Sequence, residues 1–239
     1  MNLVMFDIDG TLTRTNAVDT QCFVSALSEV LQIRNIDTDW NNYRYATDQG
    51  CLEEITRNYK GRPGTDDELM QAKLRHVELL RERADSDPLL FLPVPGANEA
   101  IDFLKKQVNV VVALATGAWL ESARLKLSRA GLTVDGIPFA SSNDSLSREE
   151  IMKIAEKRSL QVSNAPFRTR TYVGDAAWDV RAAISLGYHF IGVASEAKAK
   201  RLRTEGARWV IPDYEPVGAF CEALNTIWNA EQSHRPGPE

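Results

Sequence analysis

Cysteine pairs, long uncharged runs and a marked excess of either charge are all missing from this sequence of 239 residues. Its three cysteines have no CxxC spacing, which argues against a disulfide framework or a structural zinc site and is typical of a reducing cytoplasm. No run longer than 14 residues lacks a charged side chain, so no membrane-spanning helix is predicted. The first residues do not have the pattern of a signal peptide. We therefore expect a cytoplasmic protein with no membrane partner.

The charge balance argues against a further class of protein. The chain has 28 lysine and arginine residues against 33 aspartate and glutamate residues, a formal net charge of −5. Because general nucleic-acid binding needs a basic surface, no nucleic-acid partner is expected. The length is enough for one large domain, or for a domain that carries an insertion. The composition leaves the oligomeric state open and is compatible with a monomer.

Short apolar runs recur along the chain, each bounded by glycine or polar residues. Because runs without polar alternation are typical of strands buried on both faces, they predict a parallel sheet. Stretches with helical spacing separate most of them, which predicts βαβ units and a doubly wound, Rossmann-like α/β fold. The predicted strands are Leu3–Phe6, Val108–Ala115, Ile137–Ala140, Thr171–Val173, Phe190–Val193 and Trp209–Ile211.

Residues 15–92 break this alternation, because they contain helical patterns without a convincing strand. A return hinge is predicted at residues 92–96, where paired prolines stiffen the chain and a glycine allows a turn. We therefore predict a helical cap over residues 15–92, inserted into an α/β core of residues 1–14 and 93–232. Residues 233–239 are predicted to be a disordered tail. The predicted cap helices are Ala17–Gln32, Leu52–Tyr59 and Asp66–Arg83.

Two carboxylates, Asp7 and Asp9, follow the first predicted strand directly. Side chains at i and i+2 of an extended chain project to the same side, and α/β sheets bind ligands at the carboxyl ends of their strands. Converging carboxylates require a cation, and hard oxygen ligands favour Mg²⁺. Gly10 then lets the chain turn away. The alternative is an ordinary turn at the end of a strand, where Asp and Gly are common.

Two further segments carry polar groups at predicted strand ends. Asp175 follows the run that ends at Val173, and Asp179 lies one helical turn later. An acid at a helix start is also favoured by the helix dipole, so Asp179 could have a purely local role. Thr116 and Gly117 follow another apolar run, where a hydroxyl and free N–H groups can hold a phosphate oxygen. By itself, Thr-Gly after an apolar run is a common pattern.

In this order and spacing, the three segments resemble motifs of the haloacid dehalogenase superfamily of phosphohydrolases. Residues 7–11 are similar to the first motif, the run ending in Thr116 to the second, and residues 174–179 to the fourth. The resemblance spans most of the chain, because the helical segment lies where this superfamily inserts its first type of cap, called C1. It implies a Rossmann-like core with a helical cap, as in phosphoglycolate-phosphatase-like members.

The resemblance also implies roles for the acidic residues. Asp7 is the implied nucleophile, which forms an aspartyl-phosphate, and Asp9 is the implied general acid and then general base. The implied Mg²⁺ ligands are Asp7, Asp9 through its backbone carbonyl, and Asp175, while Asp179 holds metal-bound waters or orients the site. An acid two residues after the nucleophile implies phosphate-ester chemistry, because the dehalogenases, phosphonatases and transport ATPases of the superfamily carry other residues there.

The phosphate-binding set departs from the superfamily pattern at the third motif. Thr116 and Gly117 are implied ligands of the phosphoryl oxygens, but residues 140–153 lack the usual Lys-Pro. Arg148 is our candidate for the missing cation, because arginine offers a permanent charge in a bidentate fork, and Lys153 is the fallback. Alternatively, Arg148 is a solvated charge in a capping-type helix start.

A polar loop before the second cap helix resembles the cap loop that reaches the active site in related phosphatases. Its side chains could hydrogen-bond a polar leaving group, although a plain surface role is an open alternative. Trp119 could line the pocket or pack in the core. The candidate residues of this loop are Thr47, Asp48 and Gln49, and the candidate partners for an anionic leaving group are Arg14 and Arg57.

These observations predict a Mg²⁺-dependent phosphatase that hydrolyses a small phosphomonoester through an aspartyl-phosphate. The expected partner is a small phosphorylated metabolite, with phosphoglycolate-like and sugar phosphates as the family precedents. One alternative is a phosphomutase on the same scaffold, in which the phospho-enzyme is kept from water. Another is a non-catalytic relative that binds a phosphorylated ligand or a partner protein, which only the altered third motif favours.

Overall fold

A six-stranded, all-parallel sheet forms the centre of the computed structural model, which describes residues 1–163 and 165–230. The strand order is β3-β2-β1-β4-β5-β6, which confirms the predicted doubly wound α/β fold. The tail predicted at residues 233–239 lies outside the described ranges. The strands are β1 Asn2–Phe6, β2 Val110–Ala115, β3 Phe139–Ala140, β4 Thr169–Gly174, β5 His189–Val193 and β6 Trp209–Ile211.

Helices occupy the connections between these strands. Short 3-10 helices at Trp40–Asn42 and Pro88–Phe91 were not predicted. Within the described ranges, no helix is both long enough and apolar enough to cross a membrane. The α-helices are α1 Asn16–Leu31, α2 Asp48–Lys60, α3 Asp66–Ser86, α4 Ala97–Lys105, α5 Leu120–Arg129, α6 Arg148–Ser163, α7 Ala177–Ser185, α8 Glu196–Thr204 and α9 Val217–Ala230.

Alternating side chains of the strands build a hydrophobic core on each face of the sheet. In β1, Val4 and Phe6 join the cluster that includes α4, α5 and α9. The intervening Leu3 and Met5 join the opposite cluster with α6, α7 and α8. Because both faces are covered, the strands are largely apolar, which is why short apolar runs located all six. The bounds differ most at β4, predicted at Thr171–Val173, because Thr169 and Arg170 at its start are polar.

The cap segment, residues 15–92, has hydrophobic clusters of its own. Helix α1 packs against α3, and Phe23 and Leu27 of α1 join Leu52 and Ile55 of α2 in one cluster. A capping box starts α3, with Thr65 Oγ1 accepting from Glu68 N and Glu68 Oε2 accepting from Thr65 N. This segment adds no strand to the sheet.

The chain leaves and re-enters the sheet region along two adjacent stretches. Arg14 N donates to Leu92 O, and Val94 N donates to Leu12 O, both at 2.9 Å. The predicted division of the chain at residues 14/15 and 92/93 falls at these stretches, and it stays a prediction.

The winding direction of the sheet reverses between β1 and β4. Helices of β1–β3 connections lie mainly on one face and those of β4–β6 on the other, so a crevice opens at the carboxyl ends of β1 and β4. Asp7 directly follows β1 and Asp175 directly follows β4. The fold therefore brings the two predicted acidic motifs together.

Candidate active site

Three buried carboxylates meet at this reversal of the sheet. Oxygen atoms of Asp7, Asp175 and Asp179 all lie within 4.8 Å of one another. Pairing of β1 with β4 causes this, since Asp7 N extends the ladder by donating to Val173 O at 2.9 Å. Asp179 lies in the first turn of α7, and its Oδ2 accepts from Ala176 N at 3.1 Å. Asp179 therefore both caps its helix and faces the cluster.

The acidic cluster fits a hard divalent cation. Burial, reinforced by the charge of Asp7, raises the pKa of Asp175 to about 6. Burial also raises the pKa of Asp179 well above its ordinary value, even though Arg148 opposes the shift. Like charges confined at this distance are relieved by a cation, and an all-oxygen donor set suits Mg²⁺. The carboxylate of Asp9 does not belong to this cluster.

Gly10 permits the close approach of the first motif to Asp175. Its φ of +74° lies in the left-handed region, and a Cβ there would lie 2.1 Å from Asp175 Oδ2. Asn16, at the start of α1, donates from Nδ2 to the same Asp175 oxygen at 2.8 Å. Any side chain at Gly10 would therefore push apart the first and fourth motifs.

Arg148 extends into the acidic cluster from the start of α6. Its Nη1 lies 3.1 Å from Asp179 Oδ1 and 3.4 Å from Asp7 Oδ1, and it donates to the Tyr172 hydroxyl at 3.2 Å. Burial by itself would lower the pKa of Arg148, but Asp179, the Tyr172 phenol and Asp7 hold it well above its ordinary value. Arg148 is 8 % exposed, so it is not the solvated helix-start charge of the alternative interpretation.

Lys153, the fallback for this cation, lies elsewhere on the same helix. Its Nζ pairs with Glu150 Oε1 at 2.7 Å, and its side chain is 52 % exposed. The structure therefore brings Arg148, and not Lys153, beside the candidate nucleophile.

Thr116 and Gly117 lie on the other side of Asp7, after β2. Thr116 is buried, and its Oγ1 accepts from Ala118 N at 3.2 Å. A Cβ at Gly117 would lie 2.3 Å from Arg148 Nη2 and 2.8 Å from Ala46 O, so only glycine fits between the guanidinium and the cap loop. Both residues line the same cavity as the acidic cluster.

That cavity has a volume of about 340 Å³ and is enclosed jointly by the α/β core and the cap segment. Its size falls in the range of small-molecule sites. Lys198 and Arg201 of α8 also line it, and Lys198 Nζ lies 3.6 Å from Asp175 Oδ2. The lining from the cap segment includes Asp19, Thr20, Phe23, Trp40, Asn41, Thr47, Asp48 and Cys51.

The three predicted cap-loop residues bind the core directly. Thr47 Oγ1 donates to Leu146 O at 2.9 Å, and Asp48 Oδ2 accepts from Trp119 N at 2.9 Å. Gln49 Oε1 accepts from Trp119 Nε1 at 3.0 Å. Thr47 and Asp48 line the cavity, whereas Gln49 is not among its lining residues. Burial, then the charge of Asp19, raises the pKa of Asp48 to about 7.

The remaining candidates lie away from the cavity lining. Trp119 is 1 % exposed and stacks on Phe23 of α1, with ring centroids 5.8 Å apart. It therefore packs as a core residue inside the cap cluster, as one of its two interpretations proposed. Arg14 and Arg57 are exposed, and neither lines the cavity.

The sequence interpretation missed Lys126, which is fully buried on α5. Its Nζ donates to Asp9 Oδ2 at 2.6 Å and to Asp19 Oδ1 at 2.7 Å. Burial by itself would lower the pKa of Lys126, but the carboxylates of Asp19 and Asp9 raise it above its ordinary value. One signal was available, because Lys126 interrupts the apolar helical stripe formed by Ala123, Leu127 and Ala130.

The family model of haloacid dehalogenase-like hydrolases matches residues 1–187. A hydrolase from Pseudomonas syringae has a TM-score of 0.67 and 21 % identity, covering 88 % of this chain and 93 % of that one. A comparison with curated proteins finds no match.

Two other solved structures share the fold. A protein assigned as a beta-phosphoglucomutase from Bacteroides vulgatus has a TM-score of 0.64 and 17 % identity, covering 98 % of this chain and 89 % of that one. A predicted phosphoglycolate phosphatase from Haemophilus somnus has a TM-score of 0.62 and 16 % identity, covering 92 % and 98 %. At these identities, the likeness establishes the fold alone.

Proposed function

Because the chain belongs to the haloacid dehalogenase-like hydrolase family, we propose that it is a Mg²⁺-dependent phosphatase acting on a small phosphomonoester. The family membership agrees with the enzyme class that the sequence motifs implied. The observation that carries the proposal is the buried cluster of Asp7, Asp175 and Asp179, which Arg148 contacts inside a cavity of about 340 Å³.

In the proposed first step, an oxygen of the Asp7 carboxylate attacks phosphorus, and the bond from phosphorus to the ester oxygen breaks. Asp9 donates a proton to the departing oxygen, which yields the alcohol and an aspartyl-phosphate on Asp7. Burial raises the pKa of Asp9, although Lys126 opposes the shift, and a raised pKa suits a proton donor. The side chain of Asp9 lines the cavity, so it is accessible to an ester bound there.

In the second step, water attacks the phosphorus of the aspartyl-phosphate while Asp9 accepts one of its protons. The bond from phosphorus to Asp7 breaks, its electron pair returns to the Asp7 carboxylate, and inorganic phosphate is released. Arg148, the Thr116 hydroxyl and the Gly117 N–H bind the phosphoryl oxygens in both steps. Their bonds serve the transition state, in which negative charge spreads over those oxygens.

Mg²⁺, when bound, would neutralise negative charge between the nucleophile and the phosphoryl group. We propose that Asp7, Asp175 and the backbone carbonyl of Asp9 hold it, with Asp179 orienting the site. Without a cation, the crowded carboxylates would repel an incoming phosphate dianion.

The cavity lining bears on the substrate. The cap segment contributes to this lining the carboxyl groups of Asp19 and Asp48 and the rings of Phe23 and Trp40. Carboxylates accept hydrogen bonds from hydroxyl groups and repel other carboxylates. Of the two family precedents, a sugar phosphate therefore fits this lining better than a phosphoglycolate-like ester.

A phosphomutase is the second candidate function, because the cap loop closes directly over the phosphate-binding residues. Arg148 Nη2 donates to Ala46 O at 2.9 Å, and Asp48 N donates to Gly117 O at 2.8 Å. Such contacts would exclude water, which a mutase requires of its phospho-enzyme. The non-catalytic alternative is weaker, because Arg148 supplies a cation beside Asp7 in spite of the altered third motif.

Phosphate release from a panel of small phosphomonoesters, with Mg²⁺ and with EDTA, tests the proposal. We expect release that requires Mg²⁺ and is abolished in Asp7→Asn, a variant that differs from the carboxylate by one group and should fold normally. An ester with labelled phosphate distinguishes the mutase, because the label would return to the organic product instead of appearing as inorganic phosphate. Substantial release by Asp7→Asn would refute Asp7 as the nucleophile.

A further inference from the structure

We propose that Lys126 is a positioning residue, which holds the carboxylate of Asp9 in its working orientation and connects it to the cap segment through Asp19. The inference rests on the proposed function, because it assigns a task to Asp9. It starts from the fact that Lys126 is 0 % exposed and is not a lining residue of the cavity. The ammonium therefore acts through Asp9 and does not contact the substrate.

The first argument is the geometry at Asp9. Lys126 Nζ donates to its Oδ2 at 2.6 Å, and Thr15 Oγ1 donates to its Oδ1 at 2.5 Å. Because both oxygens are held from different directions, the plane of the carboxylate is fixed. Each oxygen retains a further lone-pair direction, so the group can still exchange a proton with a ligand in the cavity.

The second argument is the free energy of burying a cation. A lysine taken fully out of water is strongly unfavourable unless close carboxylates and hydrogen bonds compensate. An apolar residue in the stripe of α5 would avoid that cost, since Ala123 and Leu127 on the same face pack into the core. A purely structural need for packing therefore does not explain a charge at Lys126.

The third argument is that other ion pairs already hold the cap segment against the core. Lys73 of α3 pairs with Glu121 of α5 at 2.8 Å, and Arg129 of α5 pairs with Asp85 of α3 at 2.5 Å. Neither pair includes a residue that lines the cavity. What distinguishes Lys126 from these ties is its bond to Asp9.

The hydrogen bond from Lys126 to Asp19 connects Asp9 to the cap segment. Asp19 is on α1, lines the cavity, and lies 3.4 Å from Nε2 of the buried His76 on α3. A rearrangement of α1 would therefore pull on Lys126 and disturb Asp9.

The test compares Lys126→Met with Lys73→Met, which removes another ion pair between core and cap, partly exposed and away from the cavity. Release of the leaving group in the first turnover is measured with an alkyl phosphomonoester and with p-nitrophenyl phosphate. The alkoxide needs a proton from Asp9, whereas nitrophenolate leaves without one. We expect Lys126→Met to slow the alkyl ester about 10- to 100-fold, part of the usual contribution of a general acid, with KM nearly unchanged. Release of nitrophenolate should change little, and Lys73→Met should behave like the unmodified chain.

The thermal midpoint of each variant shows whether it is folded. If Lys126→Met does not fold, because Asp9 and Asp19 then repel each other, the double variant Lys126→Met/Asp19→Asn removes the excess charge. Asp19→Asn alone serves as its reference.

Three results would overturn the assignment: equal slowing of both esters, a rate like that of Lys73→Met, or a faster first turnover with the alkyl ester. A failure of the proposed function is distinguishable from these. In that case the unmodified chain itself would release no leaving group from either ester, and the role of Lys126 would fall with it.

Discussion

Two buried cations approach the first motif, and each of them meets a pair of carboxylates. Arg148 contacts Asp7 and Asp179, which follow two neighbouring strands of the same rigid sheet. Its acidic partners are therefore held in place by β1 and β4, whatever the cap does.

Lys126 has partners on both sides of the boundary between core and cap. Asp9 belongs to the loop after β1, whereas Asp19 belongs to α1 in the cap segment. The difference between Arg148 and Lys126 shows that a buried cation paired with two acids does not have one fixed role. A cation whose acidic partners share one sheet can serve binding, while one whose acidic partners lie on two elements also connects those elements.

Removing the guanidinium of Arg148 should lower the activity more than removing the ammonium of Lys126. We expect Arg148→Met to lower kcat/KM about 10³-fold, the usual loss when a group that stabilises transition-state charge is removed. Arg148→Lys should recover only part of this, because a point charge cannot reproduce the planar fork. Steady-state kinetics at saturating Mg²⁺ measures both, and full recovery by lysine would argue that only the charge matters.

The role of Asp175 in the acidic cluster can be tested through the stability of the folded chain. The pKa of Asp175 is raised from its ordinary value of 3.8 to about 6 in the folded chain. The folded chain therefore holds this proton more tightly than the unfolded chain, and its stability falls as the pH rises from about 4 to above 6. Asp175→Asn cannot ionise, so at pH 7.5 without metal it should be more stable by up to about 3 kcal/mol.

Mg²⁺ should then stabilise the unmodified chain more than Asp175→Asn, because a neutral amide oxygen binds the cation more weakly than a carboxylate. Thermal unfolding at pH 5 and pH 7.5, with and without Mg²⁺, measures both effects. An equal response of the two proteins to Mg²⁺ would exclude Asp175 as a ligand.

A smaller effect is expected on the cap side of the cavity, at Asp48. With its pKa raised to about 7, this carboxyl gains negative charge between pH 6 and pH 8. The KM for an anionic ester should therefore rise several-fold over this interval, about the energy of one partly screened charge. Asp48→Asn should flatten this rise, so that only the ionisation of the ester itself still changes KM with pH. An unchanged pH profile of KM would show that Asp48 does not face the ligand.

The smallest effect is expected at Lys153, on the same helix as Arg148. Its ion pair with Glu150 is exposed, and such pairs contribute about 0–1 kcal/mol. Lys153→Met should keep kcat/KM within about twofold of the unmodified chain, since surface substitutions rarely act at a distance. A large loss of kcat/KM would instead indicate that Lys153 is the third-motif cation.

The sequence alone determined the fold class and, to within one residue, where the six strands end. Strands buried on both faces are mostly apolar, and the polar residue that follows such a strand marks the edge where ligands bind. Asp7, Thr116 and Asp175 could therefore be found without coordinates. Arg148 could be chosen by its order in the chain, although not its contacts with Asp179 and Tyr172.

Only the tertiary structure decided which groups meet across the boundary between core and cap. The periodicity of α5 indicates that position 126 faces inward, but no local pattern shows that Asp9 and Asp19, more than a hundred residues earlier, lie there as partners. Likewise, the loop after β2 does not reveal that Trp119 packs inside the cap cluster. Burial of a charge is settled by what surrounds it in space, and that depends on contacts between distant segments, which local spacing does not encode.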